Sequence, residues 1–287
     1  PRPPTLVSEW ADKHRVLSSK GSALPGRWVT ARNPLLREPM DCFSARSPVR
    51  EVVCIFPIQF GKSEFETNVL AYTMCENPGP IMVTLPGEVS MNKFIAQKLN
   101  PLLEETAPCI EALTTTSARN AKNTAGFKDF AGGQLYIEHA GNSKRLKSTS
   151  AKLVLADEFD SFAASLTTGD DPDALLDGRS SAFPTTSKRG SVGTPEVKGI
   201  SRLEAKWDAS DQREYHIACP HCSHEHPLRW DAFHWSVGHD GRVTRAWRTC
   251  PACGADIDAP AKDRLTDTGR WVPAFPGRKI RGYRASF

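Results

Sequence analysis

The sequence predicts an α/β fold: a mostly parallel sheet covered by helices on both faces, with a small cysteine-rich β module attached. Three observations carry this. Short apolar, β-branched runs alternate with helix-periodic segments from Arg50 to Gly193, the pattern of strands joined by helical crossovers. The triplet Gly61-Lys62-Ser63 stands between the first of those runs and the first of those helices. Two Cys-x-x-Cys pairs follow later, separated by 27 residues.

Composition sets the bounds. A chain of 287 residues, 39% hydrophobic, is too apolar for disorder and long enough for one large core with a small satellite. The longest apolar run, Val52–Ile58, contains Pro57 and is far shorter than the ~20 residues of a membrane helix. Pro1-Arg-Pro-Pro4 lacks the apolar segment of a secretion signal. The chain starts without Met and stops abruptly at Phe287, which reads as a piece of a longer protein. A net charge of +4 neither demands nor excludes a nucleic-acid partner. With no secretion signal, the paired cysteines suggest a metal in a reducing compartment, and Cys42, Cys54, Cys75 and Cys109 read as small buried hydrophobes.

Residues 1–49 are rich in Pro and Arg, with one helical stretch around Leu6–Leu17, and are expected to form an arm packed on the main domain. Residues 50–210 are that domain. Glu51–Phe56 reads as a buried strand, Lys62–Cys75 as a helix, and Asn77-Pro-Gly-Pro80 as a breaker before the strand Ile81–Leu85. A helix over Ser90–Leu99 ends at Pro101 or continues past it through Leu103. Gln134–His139, Lys152–Ala156 and Arg189–Gly193 are further strands, and Asp173–Arg179 is a helix with Pro172 at its first turn. Residues 211–262 form the cysteine-rich module, and 263–287 a return segment.

In such sheets ligands bind beyond the carboxyl ends of the strands, so the residues there decide the chemistry. A phosphate-binding loop needs backbone N–H groups backed by a helix N-terminus, a Lys for the β/γ-phosphates and a hydroxyl for Mg²⁺. Gly61, Lys62 and Ser63 match those needs, although Phe56 stands where the common pattern has Gly. Such a triplet arises by chance in about one chain in seven of this length, so the strand before it and the helix after it carry the weight. The strand Leu153–Ala156 ends in Asp157-Glu158; the first carboxylate is placed to hold Mg²⁺ and the second to deprotonate a water. Asp160 reads as a solvated acid. Thr194, closing the strand that ends at Gly193, is a hydroxyl placed to sense a terminal phosphate, though Gly-Thr-Pro is equally ordinary turn chemistry.

Cys219, Cys222, Cys250 and Cys253 have the spacing of a zinc ribbon, four thiolates closing one structural Zn²⁺. His221, His224 and His226 are alternative ligands that the four sulfurs make unnecessary. Trp230, Trp235 and Trp247 either fill the ribbon's small core or, with Arg229, Arg242, Arg245 and Arg248, stack on bases and pair with phosphates. Lys144-Arg-Leu-Lys147 reads equally as a phosphate contact or a solvated loop.

Together these motifs resemble the large terminase subunit of tailed bacteriophages, in its GpA-like branch. The matching stretches are Pro25-Gly-Arg-Trp28, Arg37-Glu-Pro-Met-Asp41, Gln59-Phe-Gly-Lys-Ser63, Ala156-Asp-Glu158, Gly193–Arg202, Asp211-Gln-Arg-Glu-Tyr215 and Cys219-Pro-His-Cys222, within roughly residues 25–284. The resemblance implies a P-loop NTPase fold (RecA- or helicase-like) and an ATP-driven motor that pumps double-stranded viral DNA into a procapsid. Gln59, Phe60, Gly61, Lys62 and Ser63 would bind ATP, Ser63 and Asp157 would hold Mg²⁺, Glu158 would activate water and Thr194 would couple hydrolysis to movement. Trp28, with Arg27 and Arg32, would contact the base. The implied partners are the small terminase subunit, the portal protein and further copies of the motor, with no membrane and with the host cytoplasm as the site of assembly. The family's metal-dependent endonuclease would lie in the longer parent chain. A basic residue common early in the family's phosphate loop is absent from Phe56–Phe60, which leaves the charge-stabilising Arg unassigned. The competing readings are a helicase-like, nucleic-acid-dependent ATPase and a non-enzymatic zinc-ribbon module that binds nucleic acid.

Overall fold

A computed structural model describes residues 5–114, 123–197, 199–258 and 266–285. The arm consists of α1 (Val7–His14), a two-residue ladder of β1 (Val16–Leu17) with β2 (Gly26–Arg27), and α2 (Arg37–Asp41). The expected helix to Leu17 therefore stops at His14, because Val16 and Leu17 pair as a strand. Trp10, Leu36, Met40 and Phe43 carry the arm into the main core. Residues 1–4 of the expected arm lie outside the described residues.

The sheet follows the predicted alternation. Its strands are β3 (Glu51–Ile55), β4 (Ile81–Leu85), β5 (Phe127–Phe130), β6 (Gly133–His139), β7 (Leu153–Ala156) and β8 (Lys188–Gly193), then β9 (Arg213–Ala218), β10 (Glu225–Pro227), β14 (Arg270–Pro273) and β15 (Arg281–Arg284). Across it the order is β10-β9-β15-β3-β8-β7-β4-β6-β5, with β14 also on β9. Every neighbouring pair from β9 to β6 is parallel. Only β5, β10 and β14 pair antiparallel, all toward the edges. β4, β7 and β8 are buried along their whole length, as burial between two helical layers requires; β4 and β7 achieve this with apolar side chains apart from Thr84, whereas β8 carries Lys188 and Arg189.

The crossovers are α3 (Lys62–Glu76), α4 (Glu88–Phe94), α5 (Asn100–Glu105), α6 (Ala107–Thr114), α7 (Ser143–Lys147), α8 (Pro172–Arg179) and α9 (Arg202–Ala209). The arm covers the outer face of α3, which is why Phe65 to Met74 are buried all round. Past α4 the helix does not stop at Pro101: one π-helical turn, Ile95–Leu99, leads into α5, where Pro101 occupies the first turn and its missing N–H costs nothing.

The return segment contributes strands to the main sheet. β15 is inserted between β3 and β9, and Tyr283 is fully buried there, its hydroxyl 3.1 Å from both Glu38 Oε1 and Cys42 Sγ. The boundary drawn at 210/211 likewise does not separate two sheets, since β9 and β10 extend the main one. Within the expected module, β11 (Phe233–Val237), β12 (Val243–Thr249) and β13 (Asp256–Asp258) form a separate three-stranded sheet. The expected end of the module at 262 lies outside the described residues. Asp211, fully buried, fixes the junction by accepting from the Gly282 amide at 2.9 Å, Arg213 Nε at 2.7 Å and Arg281 at 2.8 Å.

Candidate nucleotide site and cysteine cluster

The loop between β3 and α3 is shaped by two left-handed residues, Gln59 (φ 62°) and Gly61 (φ 101°). The second conformation favours glycine, and a Cβ there would also press on Leu36 Cδ1 at 3.3 Å. Asn33 of the arm donates to the Phe60 carbonyl at 2.8 Å and holds the loop from outside. Phe60 itself turns back, its ring 4.6 Å from that of Phe56.

Lys62 opens α3 with its side chain buried and its ammonium shared. Nζ lies 2.8 Å from Glu158 Oε1 and donates to Thr194 Oγ1, also at 2.8 Å. The Thr194 hydroxyl in turn donates to the Phe56 carbonyl at 2.8 Å. Residues from three strand ends thus meet on one cation: the loop after β3, the turn after β7 and the loop after β8. Glu158 holds a left-handed backbone (φ 48°, ψ 48°), rare for a residue with a side chain and a mark of a conformation fixed by its surroundings.

Asp157 is buried beside it. Its amide donates to Thr84 O at 3.0 Å and its Oδ1 accepts from the Glu158 amide at 2.9 Å. Burial, then the charge of Glu158, pushes its carboxyl up to about 6, against the opposing pull of Lys62. A buried carboxylate with so little compensating charge suits a cation. Gln59, Gly61, Lys62, Ser63, Asp157 and Glu158 line one cavity of about 800 Å³.

Trp28 does not reach that cavity: it is buried, and its indole N–H is used by Thr30 Oγ1 at 2.9 Å. Arg27 donates to the Asp12 and Lys13 carbonyls, and neither it nor Arg32 lines the cavity. From the arm, Gly21, Ser22 and Ala23 line it instead. Sequence reasoning also passed over Ser90, Lys93, Phe94 and Gln97, which face the cavity at helical spacing, and Glu64, which joins Arg15 (3.0 Å) to Lys98 (2.8 Å) at its rim. Glu66, one helical turn after Lys62, is fully buried; burial first, then Asp157 and Glu158, raises its carboxyl well above the usual range. The i, i+4 spacing from Lys62 was the signal available for it.

Asp160 is not the solvated acid expected. It accepts from the Glu196 amide at 2.9 Å, the Ser201 hydroxyl at 2.8 Å and the Leu203 amide at 3.0 Å.

The four paired cysteines converge. Cys219 Sγ lies 3.8 Å from Cys253 Sγ, Cys222 Sγ lies 3.7 Å from Cys250 Sγ, and all four sulfurs are within 4.8 Å of one another. Thiolates at ~2.3 Å from one tetrahedral zinc stand about 3.8 Å apart, so the donor set fits that ion. The two turns repeat each other. The Cys219 amide donates to His224 O and the Ser223 amide to Cys219 O; the Cys250 amide donates to Ala255 O and the Gly254 amide to Cys250 O. Ser223 and Gly254 are both left-handed, φ 62° and 71°. Trp230 and Trp235 do not fill the module's core, being 56% and 52% exposed. The nearby arginines are engaged within the chain: Arg229 with Glu214, Arg245 with Asp256 and Asp258, and Arg248 with two carbonyls. Arg145 and Lys147 likewise pair with Glu138 and Asp170.

The family described as phage terminase large subunit gpA, ATPase domain, matches residues 22–271. The chain belongs to that family. Among curated relatives, the large terminase subunit of Enterobacteria phage P21 is 27% identical over 276 residues, 94% of this chain and 42% of that protein. That of Escherichia phage lambda is 27% identical over 234 residues, 80% of this chain and 35% of that protein. The chain thus spans less than half the length of these relatives. Among solved structures, the HK97 bacteriophage large terminase aligns over 70% of this chain and 39% of its own, with TM-score 0.48 and 12% identity. The Thermus phage P74-26 large terminase ATPase domain aligns over 84% and 77%, with TM-score 0.42 and 11% identity.

Proposed function

We propose that this gpA-family domain hydrolyses ATP and, in its parent protein, drives double-stranded viral DNA into a procapsid. The observation that carries this is the ammonium of Lys62, held 2.8 Å from both Glu158 and Thr194 at a cavity that Ser63 and Asp157 also line. An arriving triphosphate competes with Glu158 for Lys62. Once released, the Glu158 carboxylate is free to orient a water and take its proton, while Lys62 neutralises phosphate charge. Thr194, bonded to Lys62, registers that exchange on the strand-end loop after β8. Ser63 and Asp157 would hold Mg²⁺, which shields the phosphates when bound. Gln59, Gly61 and the start of α3 supply backbone N–H groups.

Cys219, Cys222, Cys250 and Cys253 would close a structural Zn²⁺ with no open position. The partners of the parent motor would be the small terminase subunit, the portal protein and further copies of the motor chain, assembled in the host cytoplasm. Any endonuclease activity would belong to the longer parent. Among the described residues no helix is long and apolar enough to cross a membrane.

Phosphate release from Mg·ATP by the purified chain, raised by DNA or by a portal complex, is the expected result. A chain with full nucleotide affinity and no turnover, alone or with those partners, would remove the motor reading.

A further inference from the structure

The turn that carries the two site carboxylates is fastened to a second segment by a residue the reaction does not use. Asp160 Oδ2 accepts from the Glu196 amide at 2.9 Å, and Oδ1 accepts from Ser201 Oγ at 2.8 Å and the Leu203 amide at 3.0 Å. Ser161 donates to the Glu196 carboxylate beside it. Ser201 also caps α9, accepting from the Glu204 amide at 3.0 Å. The Phe159 ring lies under two cations of α9, Arg202 at 5.5 Å and Lys206 at 5.3 Å from its centroid. At the other end Thr194 reaches the same turn through Lys62 and Glu158. Between these anchors Val197 and Ile200 are 54% and 76% exposed, while Leu203 is buried in the core at the start of α9, so the Glu196 end is held to the turn by its polar contacts with Asp160 and Ser161.

We propose that Asp160 is a positioning residue that locks the Glu158 turn to the segment from Glu196 to Leu203, so that Thr194 and the start of α9 move with Glu158. This rests on the ATP-hydrolysis reading of the site. Three donors on one carboxylate make a rigid joint, whereas a surface acid would leave the segment free. Burial alone would raise the Asp160 carboxyl, but the amides of Leu203 and Glu196 and the Ser201 hydroxyl outweigh it and hold the group below the usual range. α9 runs directly into Ser210 and Asp211, the junction with β9 and the cysteine module, so the joint lies on the path from the reacting carboxylate to that module.

The test compares wild type, Asp160→Asn and Asp160→Ala. Asp160→Ala should lower kcat by about 10- to 100-fold with KM for ATP within about twofold, as expected for a misplaced catalytic group with intact binding. Asp160→Asn keeps one acceptor oxygen and should retain more of kcat. In hydrogen exchange without nucleotide, the Glu196 and Leu203 amides should exchange faster in Asp160→Ala, with α3 unchanged. Wild-type kcat in Asp160→Ala, or a fall in kcat with a rise in KM and protection lost throughout α3, would overturn the proposal. The exchange arm also separates the two readings. A wild type that turns over no ATP removes the hydrolysis reading, and unchanged exchange at Glu196 and Leu203 removes the joint by itself.

Discussion

Lys62 is a contested cation: Glu158 and Thr194 hold its ammonium from the carboxyl ends of two neighbouring strands, and a phosphate must displace at least one of them. Lys62→Ala should therefore abolish nucleotide binding while leaving the fold intact, because the side chain bridges loops and supports no core. Calorimetric titration checks this, and unchanged affinity would remove the phosphate-loop assignment. The two adjacent carboxylates should fail differently. Asp157 is buried against the cavity, so Asp157→Asn should weaken Mg·ATP binding as well as turnover. Glu158 is half-exposed and placed for the proton transfer, so Glu158→Gln should leave binding nearly unchanged and cost ~10²–10⁴ in rate. Single-turnover hydrolysis and ATP affinity, measured on both variants, separate the roles. Near wild-type hydrolysis by Glu158→Gln would sink the assignment, and Asp160 is no substitute base while its oxygens are spent on Glu196, Ser201 and Leu203.

The elements that the sequence made legible are those whose signal is local. β4 and β7 are short runs, apolar apart from Thr84, bounded by Pro80 and Pro86 in one case and by Lys152 and Asp157 in the other, and Gly61-Lys62-Ser63 and Asp157-Glu158 follow strand ends, where the chain has to turn. Signals that depend on packing were not legible. Trp28 looked like a base contact, yet nothing in its neighbours announces that Thr30 takes its N–H. Asp160 looked solvated because its three donors lie 36 to 43 residues away. Arg281-Gly-Tyr-Arg284 is too short and polar to read as a central strand; only its buried pair Gly282 and Tyr283 belongs inside. The cysteine module is the opposite case, a cluster fixed by spacing. Its β11–β13 sheet stands apart from the main one, with little more than Cys219, Cys250 and Ile257 as its core. Purified chain should accordingly contain about one zinc, and Cys250→Ser or chelation should unfold this sheet first while nucleotide binding survives. Elemental analysis after growth in zinc-replete medium checks the first point, and a metal-free chain with native module dispersion would refute it.

At the scale of the whole molecule, the chain closes its sheet with its last described strand. β15 lies between β3, which leads into the loop carrying Lys62, and β9, which leads into the cysteine module. Removing that contact would expose an edge of β3 and uncouple it from β9. Gly282 is the point where this closure is tightest: a Cβ there would stand 1.8 Å from Ser210 Oγ and 2.7 Å from Ser210 Cβ. Ser210 is fully buried, with its hydroxyl donating to Trp207 O at 2.6 Å and accepting from the Gln212 amide at 3.1 Å, so it has no room to step aside. Gly282→Ala should destabilise the chain by about 1–3 kcal/mol, the usual cost of overpacking. Because β15 belongs to both halves, urea unfolding followed by tryptophan fluorescence and by far-UV circular dichroism should shift together in that variant. Ser210→Gly, destabilising alone through the lost hydroxyl bonds, should recover part of the loss when combined with Gly282→Ala, because it vacates the volume the new methyl needs. Two separate transitions in the wild type, or strict additivity of the two substitutions, would show that β15 does not knit the phosphate loop to the cysteine module.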